Sequence, residues 1–423
     1  MQTSEAMSEA MFDPLNKGLA ATAHGLSPSE IAGLGWNLLR EDLGLPAAVL
    51  YREKLLHNLH WMQRFIAAYG VKLAPHGKTT MAPKLFDMQL KAGAWGITLA
   101  TAHQTLVAYT HGVRRVLMAN QLVGRQNMEI VSRLLKDPEF DFYCLVDSAR
   151  QIEQLGDFFQ KQGQRLQVLL EVGVSGGRTG VRDADQLQSV LAELARWRPH
   201  IVPSGVEIYE GVLDDETSIR SFLQRAVAIT RKLSEEKRFD RDPILLSGAG
   251  SSWYDVVADV FSQADVGRST EIVLRPGCYL THDVGVYRVA QRQIENRNAI
   301  AQQMRSSLLP ALQLWAYVQS VPEKGRAIIA LGKRDAAFDA GFPTPALHYR
   351  LGASMPSAVP QNWEIVKMMD QHAYLRIAEG DDIRVGDMIG FDISHPCLTF
   401  DKWRYLSVLD EKYQVVDMVQ TFF

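Results

Sequence analysis

Cysteine is scarce in this chain. The 423 residues include three cysteines, Cys144, Cys278 and Cys397, and no two of them form a CxxC pair. An odd number of cysteines without metal-ligand spacing indicates neither a disulfide framework nor a closed structural zinc site. We therefore expect a protein of a reducing compartment, the cytoplasm.

Long apolar runs and an excess of one charge are also missing. No run of about 18 apolar residues occurs, and the first residues, MQTSEAMSEAMF, contain no apolar signal-peptide core. The 45 Lys and Arg residues nearly balance 48 Asp and Glu residues, without a basic cluster. We expect no membrane insertion, no secretion and no nucleic-acid partner. The remaining composition, 47% hydrophobic and 22% charged, is that of ordinary globular domains.

The middle of the chain alternates between helical periodicity and short apolar or β-branched runs bounded by glycine, proline, asparagine or aspartate. Eight of these runs are predicted strands: 71–75, 95–99, 115–119, 141–146, 166–172, 205–209, 244–247 and 271–275. Eight strands alternating with helices over about 200 residues are typical of a parallel (β/α)8 TIM-type barrel. An open, doubly wound α/β sheet gives a similar pattern.

The pattern changes after Asp283. A helix is predicted near 298–314, followed by short runs that resemble antiparallel strands: 316–321, 326–331, 383–391, 404–409 and 414–418. We predict a barrel domain over residues 46–285 and a mainly-β domain over residues 286–423. Residues 1–45, with a capped helix start at Ser27-Pro28-Ser29-Glu30, are expected to pack on the second domain.

Reactive residues follow several predicted strands, and a parallel barrel carries its active site at those strand ends. Lys78 follows the first strand in the segment LAPHGKTT. The phosphate-loop pattern GxxxxGK[ST] would need glycine at position 72, where Lys72 stands, so we reject that interpretation. A partly desolvated lysine here could form a Schiff base, although a solvated surface lysine remains an alternative.

Two further strand ends carry glycine-rich loops. The segment EVGVSGGRTG after the fifth strand presents Arg178, either toward the site or as a surface turn residue. The seventh strand ends in SGAGSS, residues 247–252, and the eighth in RPGCY, residues 275–279. Backbone amides and a helix dipole at this place in a barrel favour a phosphate.

The segment Ile393-Ser394-His395-Pro396-Cys397 lies in the second domain. Imidazole and thiolate two positions apart on an extended segment face one side, and both bind zinc. Two ligands would leave positions open for water or substrate, as in a catalytic site. The alternative is a buried cysteine beside a polar histidine.

Together, the segments DPLNKG (13–18), PHGKT (75–79), GKRDAAFD (332–339) and HPC (395–397) resemble the bacterial amino acid deaminases. These belong to the D-serine dehydratase and D-threonine aldolase group of fold-type III pyridoxal-phosphate enzymes, relatives of alanine racemase. The resemblance implies that Lys78 forms a Schiff base with pyridoxal phosphate and that Arg178 faces its pyridine nitrogen. It further implies that Lys78 and Tyr209 are catalytic residues in the cofactor pocket and that His395 and Cys397 bind zinc. It also implies a homodimer and a phosphate cup formed by Ser247, Gly248, Ala249, Gly250, Ser251 and Tyr279.

The resemblance implies dehydration of a D-3-hydroxy amino acid such as D-serine or D-threonine to a 2-oxo acid and ammonia. The alternative is retro-aldol cleavage to glycine and an aldehyde. Gly173 and Cys397 stand where aldolases usually carry aspartate, which weakens that alternative, and a thiolate favours zinc over harder ions. A non-catalytic cofactor carrier would not need the second domain, and a metal-dependent barrel hydrolase would need a His and Asp cluster at the strand ends.

Overall fold

The computed structural model describes residue 13, residues 15–20 and residues 25–423. The predicted helix start at Ser27 is present: α1 (Pro28–Ile31) is one short turn, with Ser27 and Glu30 forming a capping box. It is followed by β1 (Ala47–Tyr51) and by a sheet of parallel strands: β2 (Lys72–Leu73), β3 (Ile97–Leu99), β4 (Arg115–Gln121), β5 (Asp141–Val146), β6 (Leu166–Val172), β7 (Ile201–Ile208), β8 (Ile244–Gly248) and β9 (Thr270–Leu274).

The eight parallel strands form a closed barrel. Their order is β2-β9-β8-β7-β6-β5-β4-β3, with every neighbouring pair parallel. The two ends of this order meet, because Leu73 O accepts a hydrogen bond from Trp95 N at 2.7 Å and Pro75 O accepts one from Thr98 N at 2.9 Å. The predicted barrel is therefore confirmed, and each of the eight predicted strands overlaps one that is present.

Helices cover the outside of the barrel. Several start at a side-chain cap: Thr101, Ser148, Asp183 and Asp215 each accept a hydrogen bond from the backbone N–H three residues later. The helices are α2 (Arg52–Tyr69), α3 (Pro83–Lys91), α4 (Ala102–Thr110), α5 (Arg125–Leu134), α6 (Ala149–Lys161), α7 (Ala184–Arg196), α8 (Glu216–Glu235) and α9 (Tyr254–Ser262), followed by α10 (Val286–Arg297) and α11 (Ala299–Gln303).

Inside the barrel, an apolar layer gives way to a charged layer toward the carboxyl ends of the strands. Leu169 and Val273 belong to a buried apolar cluster within the barrel. Two residues later on the same strands stand Glu171 and Arg275, both buried. Since side chains two positions apart in a strand face the same way, the charged groups lie directly above the apolar layer. This change of chemistry places a polar site at the barrel mouth.

The second sheet is mostly antiparallel, and its members after β1 are β10 (Leu312–Glu323), β11 (Arg326–Ile329), β12 (Thr344–Tyr349), β13 (Ser357–Ala358), β14 (Glu364–Met368), β15 (Ala373–Arg376), β16 (Met388–Asp392), β17 (Tyr405–Leu409) and β18 (Val415–Gln420). Although β1 lies within residues 46–285, it pairs with β10 and β17 of this sheet. The short helix α12 (Cys397–Phe400) connects β16 to β17. The predicted mainly-β architecture is confirmed.

Two details of the second domain differ from the prediction. The helix predicted over 298–314 is wrong: Asn298 caps the five-residue helix α11, and Pro310 precedes β10, which begins at Leu312. The strands β12 to β15 were missed, because β12 contains Pro345 and a register shift and β14 buries only two of its residues. Such edge features weaken the alternation on which a strand prediction depends.

Residues 25–45 pack on the second sheet. Leu38 and Leu39 share a buried cluster with Tyr405 and Met418 of β17 and β18. Along the described ranges, no helix has both the length and the apolar character that crossing a bilayer requires.

Candidate active site

A cavity of about 510 Å³ lies where the barrel mouth meets the segment that carries α12. Both domains contribute to its wall, so residues more than 300 positions apart in the sequence face each other. The predicted site residues that line the cavity are Lys78, Arg178, Tyr209, Ala249, Gly250, Ser251, His395 and Cys397.

Lys78 lies in a 3-10 turn, Gly77–Thr79, directly after β2. Its side chain is exposed to the cavity, whereas both neighbours are buried. A Cβ atom at Gly77 would stand 2.7 Å from Ile97 Cγ2 and 2.8 Å from Phe86 Cε1, which is too close for any side chain. Glycine before the lysine therefore lets the turn press against the barrel wall and direct the amine into the cavity.

Two arginines line the cavity, and they differ in their surroundings. The guanidinium of Arg178 lies 4.5 Å from the ring centroid of Tyr209, and it has no hydrogen-bond or ion-pair partner among the described residues. Arg275, at the end of β9, is buried; it pairs with Glu207 and donates to Ile208 O at 2.9 Å. Its Nε is a buried donor without a partner in the described part of the chain. Burial raises the pKa of Glu207 to about 8, although Arg275 opposes the shift.

Backbone amides converge at the predicted phosphate end of the cavity. Ser251 Oγ accepts hydrogen bonds from Gly277 N at 3.2 Å and Cys278 N at 3.1 Å. A Cβ atom at Gly277 would stand 2.7 Å from His76 O, so this position also requires glycine. A hydroxyl and two amides around one point form a cradle suited to a phosphate oxygen.

The turn after β8 is strained and is held by a carboxylate. Ala249 has φ +81°, a left-handed conformation that a non-glycine residue rarely adopts. The buried Glu210 accepts hydrogen bonds from Ala249 N at 3.1 Å and Gly250 N at 2.7 Å. Burial raises the pKa of Glu210 against the effect of these bonds. The two amides predicted for the phosphate cup are thus bound by Glu210.

Three residues of the predicted cup lie outside the cavity lining. Ser247 Oγ donates to Val273 O at 2.9 Å within the barrel wall. Gly248 packs against Ile208, and a Cβ atom there would be 2.8 Å from Ile208 Cδ1. The buried hydroxyl of Tyr279 accepts a hydrogen bond from Gln89 Nε2 at 3.1 Å. These three residues lie next to the predicted cup, but they do not line the cavity.

His395 and Cys397 lie together on the opposite wall. Their mutual hydrogen bond and Asp339, whose Oδ2 lies 2.8 Å from His395 Nδ1, raise the pKa of His395 to about 9. A contact with Cys278 and the imidazole of His395 lower the pKa of Cys397. Asp339 engages one imidazole nitrogen and leaves the other for a metal, the arrangement that carboxylates give to zinc-binding histidines.

Cys278 extends this pair across the domain boundary. Its Sγ lies 3.8 Å from Cys397 Sγ, and Thr79 Oγ1 lies 3.5 Å from Cys397 Sγ and 3.9 Å from Cys278 Sγ. Counting only residues with described positions, no three His, Cys, Asp or Glu side chains form a ready metal site. His395 and Cys397 therefore constitute a two-residue donor set with open positions.

Sequence reasoning missed Glu210, which holds the strained turn, and four residues that line the cavity: Thr79, Arg275, Cys278 and Tyr287. Arg275 could have been found, because it ends a barrel strand two positions before a glycine. The contact between Cys278 and Cys397 had no signal in the sequence, since 119 residues separate them.

Two family models match the chain. The model described as alanine racemase, N-terminal domain, matches residues 51–268, and the model described as putative serine dehydratase domain matches residues 311–409. The first match covers the barrel, and the second covers most of the antiparallel domain.

Two curated relatives show similar sequences. A D-threonine aldolase of Arthrobacter sp. is 27% identical over 228 residues, which are 52% of this chain and 59% of that protein. A D-threo-3-hydroxyaspartate dehydratase of Delftia sp. is 30% identical over 150 residues, 36% of this chain and 39% of that protein. Both matches thus span less than two thirds of the relative's own length.

Solved structures show the same fold over nearly the whole chain. The D-threonine aldolase from Filomicrobium marinum aligns with a TM-score of 0.74 and 22% identity, covering 92% of this chain and 97% of that one. A cysteine-to-alanine variant of D-threo-3-hydroxyaspartate dehydratase, solved in a metal-free form, gives a TM-score of 0.71 and 22% identity, covering 92% and 99%. A histidine-to-alanine variant of that dehydratase, substituted two positions before that cysteine, gives the same TM-score.

Proposed function

Because this chain belongs to the family of alanine racemase N-terminal domains, we propose that it is a pyridoxal-phosphate- and zinc-dependent dehydratase of D-3-hydroxy amino acids. D-Serine and D-threonine are the model substrates, and the products are a 2-oxo acid and ammonia. The match of the second domain to a putative serine dehydratase domain supports the choice of reaction.

One observation carries the proposal. Thr79, the residue after Lys78, touches Cys397 Sγ at 3.5 Å. The turn that presents the amine therefore adjoins the pair that presents metal donors. A substrate whose α-carbon lies at Lys78 has its β-carbon within reach of His395 and Cys397, and β-elimination needs a base at the first carbon and help for a leaving group at the second.

The chain's residues fit pyridoxal phosphate. Ser251 Oγ, which the amides of Gly277 and Cys278 hold in place, would donate its own hydrogen to the phosphate, and Lys78 would hold the ring covalently. When bound, the cofactor supplies an electron sink for the α-carbon. The partnerless Nε of the buried Arg275 makes this guanidinium, besides the predicted Arg178, a candidate to face the ring nitrogen. Because an arginine does not give up its proton, either one would keep that nitrogen unprotonated.

The proton on the substrate's α-carbon is removed by Lys78 Nζ in this proposal. Tyr209 stays protonated, because burial and the nearby Glu210 raise its pKa. With Arg275 at the ring nitrogen, Arg178, which is stacked on Tyr209 and has no other partner among the described residues, is available for the substrate's carboxylate. These groups bind and orient the amino acid so that its α-hydrogen faces the lysine.

The donor set also fits zinc, because a thiolate and an imidazole select this ion over harder cations. His395 and Cys397 would hold it, with Asp339 orienting the imidazole. A zinc ion there would act as a Lewis acid on the departing hydroxyl group. A relative with this fold carries histidine and cysteine at the same spacing, and its cysteine-to-alanine variant was solved in a metal-free form; both facts support this assignment.

The alternative is retro-aldol cleavage, which the similarity to a D-threonine aldolase favours. Gly173 argues against it. An aspartate at this place would need a Cβ atom 2.1 Å from Thr179 O and 2.1 Å from Arg182 Nη1, so the local packing accepts only glycine. We therefore prefer the dehydratase.

The test is incubation of the cofactor-loaded, zinc-replete protein with D-threonine, with product identification by mass spectrometry. We expect 2-oxobutyrate and ammonia, and no product from L-threonine. Glycine and acetaldehyde would instead establish the aldolase.

We also propose a cytoplasmic homodimer. Four apolar side chains are exposed: Val286 and Val289 flank Tyr287, which lines the cavity, and Phe338 and Phe342 are close in sequence to Asp339, which contacts His395. A second subunit would bury them. The three cysteines are all free thiols, which is the state expected in a reducing compartment.

A further inference from the structure

The cavity wall beyond His395 and Cys397 is formed by three side chains of different chemistry. Leu398 follows Cys397 in α12 and is 40% exposed. Asp401 ends that helix, and its N–H donates to Cys397 O. Phe423 is 50% exposed. All three line the cavity, and they are the neighbours that a substituent on the β-carbon would meet.

The position of Phe423 is fixed by the residue before it. Phe422 N donates to Met81 O at 2.9 Å, next to the turn that carries Lys78. The ring of Phe422 is held between His111, at a centroid distance of 4.7 Å, and the guanidinium of Arg404, at 4.9 Å. Phe423 thereby projects over the cavity from an anchored segment.

The positive charges of the cavity are already assigned. Lys78 is used by the cofactor, and Arg275 is paired with Glu207. Arg178 is the one remaining arginine among the described lining residues, and the substrate's α-carboxylate requires it. His395, the other basic side chain of the lining, already lies 2.8 Å from Asp339. Among the described lining residues, a second carboxylate on the substrate would therefore find no unpaired side-chain cation.

A second carboxylate would also meet a negative charge. Burial raises the pKa of Asp401, and the neighbouring Lys402 and the nearby His395 oppose that rise. Its own counter-ion, Lys402, lies 3.7 Å away and does not line the cavity. Like charges brought together in a partly desolvated site discriminate strongly between ligands.

From this arrangement we infer that the enzyme selects D-3-hydroxy amino acids whose side chain beyond the hydroxyl-bearing carbon is uncharged and apolar. Phe423 and Leu398 contact that side chain, and Asp401 repels acidic substrates such as 3-hydroxyaspartate. The inference rests on the proposed function and adds its substrate class.

The kinetic test compares kcat/KM of the holoenzyme for three D-amino acids. We expect D-threonine to exceed D-threo-3-hydroxyaspartate by about 100-fold and D-serine by about tenfold, because one methyl group in an apolar pocket has an effect of that size. Equal values for D-threonine and the acidic substrate would overturn the inference.

Two variants assign the selectivity to residues. Asp401→Asn should raise kcat/KM for the acidic substrate about tenfold, whereas Glu411→Gln, an exposed carboxylate in the turn after β17, should not change it. Phe423→Ala should bring D-threonine and D-serine to within about twofold of each other, whereas Leu351→Ala, an exposed apolar residue outside the cavity, should preserve their ratio. An unchanged ratio in either site variant refutes the role of that residue.

Equilibrium binding separates this inference from the proposed function. D-2-Aminobutyrate and D-aspartate lack the β-hydroxyl group, so neither can be dehydrated, and each can be titrated by the change in cofactor absorption. We expect D-2-aminobutyrate to bind at least about tenfold more tightly. Tighter binding of D-aspartate, with D-threonine still dehydrated, would refute only the substrate class. Failure of the holoenzyme to bind or convert any D-amino acid would refute the function itself.

Discussion

At the scale of single residues, the sequence shows which reactive side chains are present, but it does not show which groups surround them in the site. Lys78, His395 and Cys397 were predicted from strand-end position and ligand spacing together with the family resemblance, and all three line one cavity. The partners that complete the site, Thr79 and Cys278, were not predicted, because a hydroxyl and a thiol next to a strand end are common in any barrel.

Lys78→Ala should abolish both the covalent attachment of pyridoxal phosphate and turnover, because Lys78 supplies the one amine among the described residues that line the cavity. The measurement is the visible absorption band and its loss on borohydride reduction. Lys72→Ala, which changes an exposed lysine on β2, the strand before the turn, is the matched control and should keep both. A borohydride-reducible band in the Lys78 variant would refute the assignment.

Cys397→Ala should lose bound zinc and at least about a hundredfold in dehydration rate, while pyridoxal phosphate remains bound. Zinc content by atomic spectroscopy and cofactor absorption are the two measurements. Cys144→Ala, which removes a buried thiol of β5, should retain the metal. Full activity of a chelator-treated protein would contradict the role of zinc.

At the scale of elements, the space between two paired strands can exclude a side chain, as the space around Gly77 does beside Lys78. Gly205 in β7 lies opposite Leu245 in β8, and a Cβ atom at Gly205 would stand 1.9 Å from Leu245 O. The two strands can pair this closely only because Gly205 has no side chain. The sequence showed a glycine at the start of a predicted strand but not this contact.

Gly205→Ala should lower the free energy of unfolding by about 3 kcal/mol, because the added methyl group meets backbone that cannot move without opening the sheet. The urea midpoint at neutral pH measures the effect. Gly33→Ala, at a position with open space around it, should change the stability by less than about 1 kcal/mol. Equal effects of the two substitutions would show that the β7–β8 contact can relax.

A buried carboxylate before β16 ties the second sheet together. Asp387 accepts hydrogen bonds from Arg350 Nε and Nη2, both at 2.8 Å, and lies 2.8 Å from His348 Nε2. Burial opposes ionisation of Asp387, but these bonds outweigh it and lower the pKa. A lowered pKa stabilises the fold above the unfolded-state pKa of about 4, and this contribution is lost as the pH falls through the folded-state pKa.

Asp387→Asn should therefore lower the free energy of unfolding by about 2 kcal/mol at pH 7. The difference from the unsubstituted protein should stay constant down to about pH 5 and shrink below about pH 4. Urea unfolding across this pH range is the measurement. Asp382→Asn, which removes an exposed partner of the same Arg350, should destabilise the protein much less, because a surface ion pair contributes little. A difference that grows toward low pH would contradict the argument.

At the scale of the whole molecule, the candidate active site lies between domains. The barrel supplies Lys78 and Arg275, and the antiparallel domain supplies His395 and Cys397. Neither domain alone holds both the proposed base and the proposed leaving-group donors. The exposed apolar residues near the site are the basis of the proposed contact with a second subunit.

We expect the protein to be a homodimer of about twice 47.4 kDa by sedimentation. Phe338→Asp together with Val289→Asp should shift it toward the monomer, because each places a charge in the proposed contact. Val366→Asp, an exposed apolar position on β14, is the control and should leave the dimer intact. A monomeric unsubstituted protein would refute the proposal.

The sequence by itself determined the alternation of strands and helices and the mainly-β pattern after it, because these appear in local periodicity. It predicted the lysine, histidine and cysteine of the candidate site through strand-end position, ligand spacing and the family resemblance. Only the tertiary structure decided that Glu210 occupies the amides of the strained turn, that Arg275 lies buried beneath the cavity, and that Phe423 and Asp401 border it. Each of these depends on contacts between residues distant along the chain, and no local pattern specifies which distant backbone a side chain will meet.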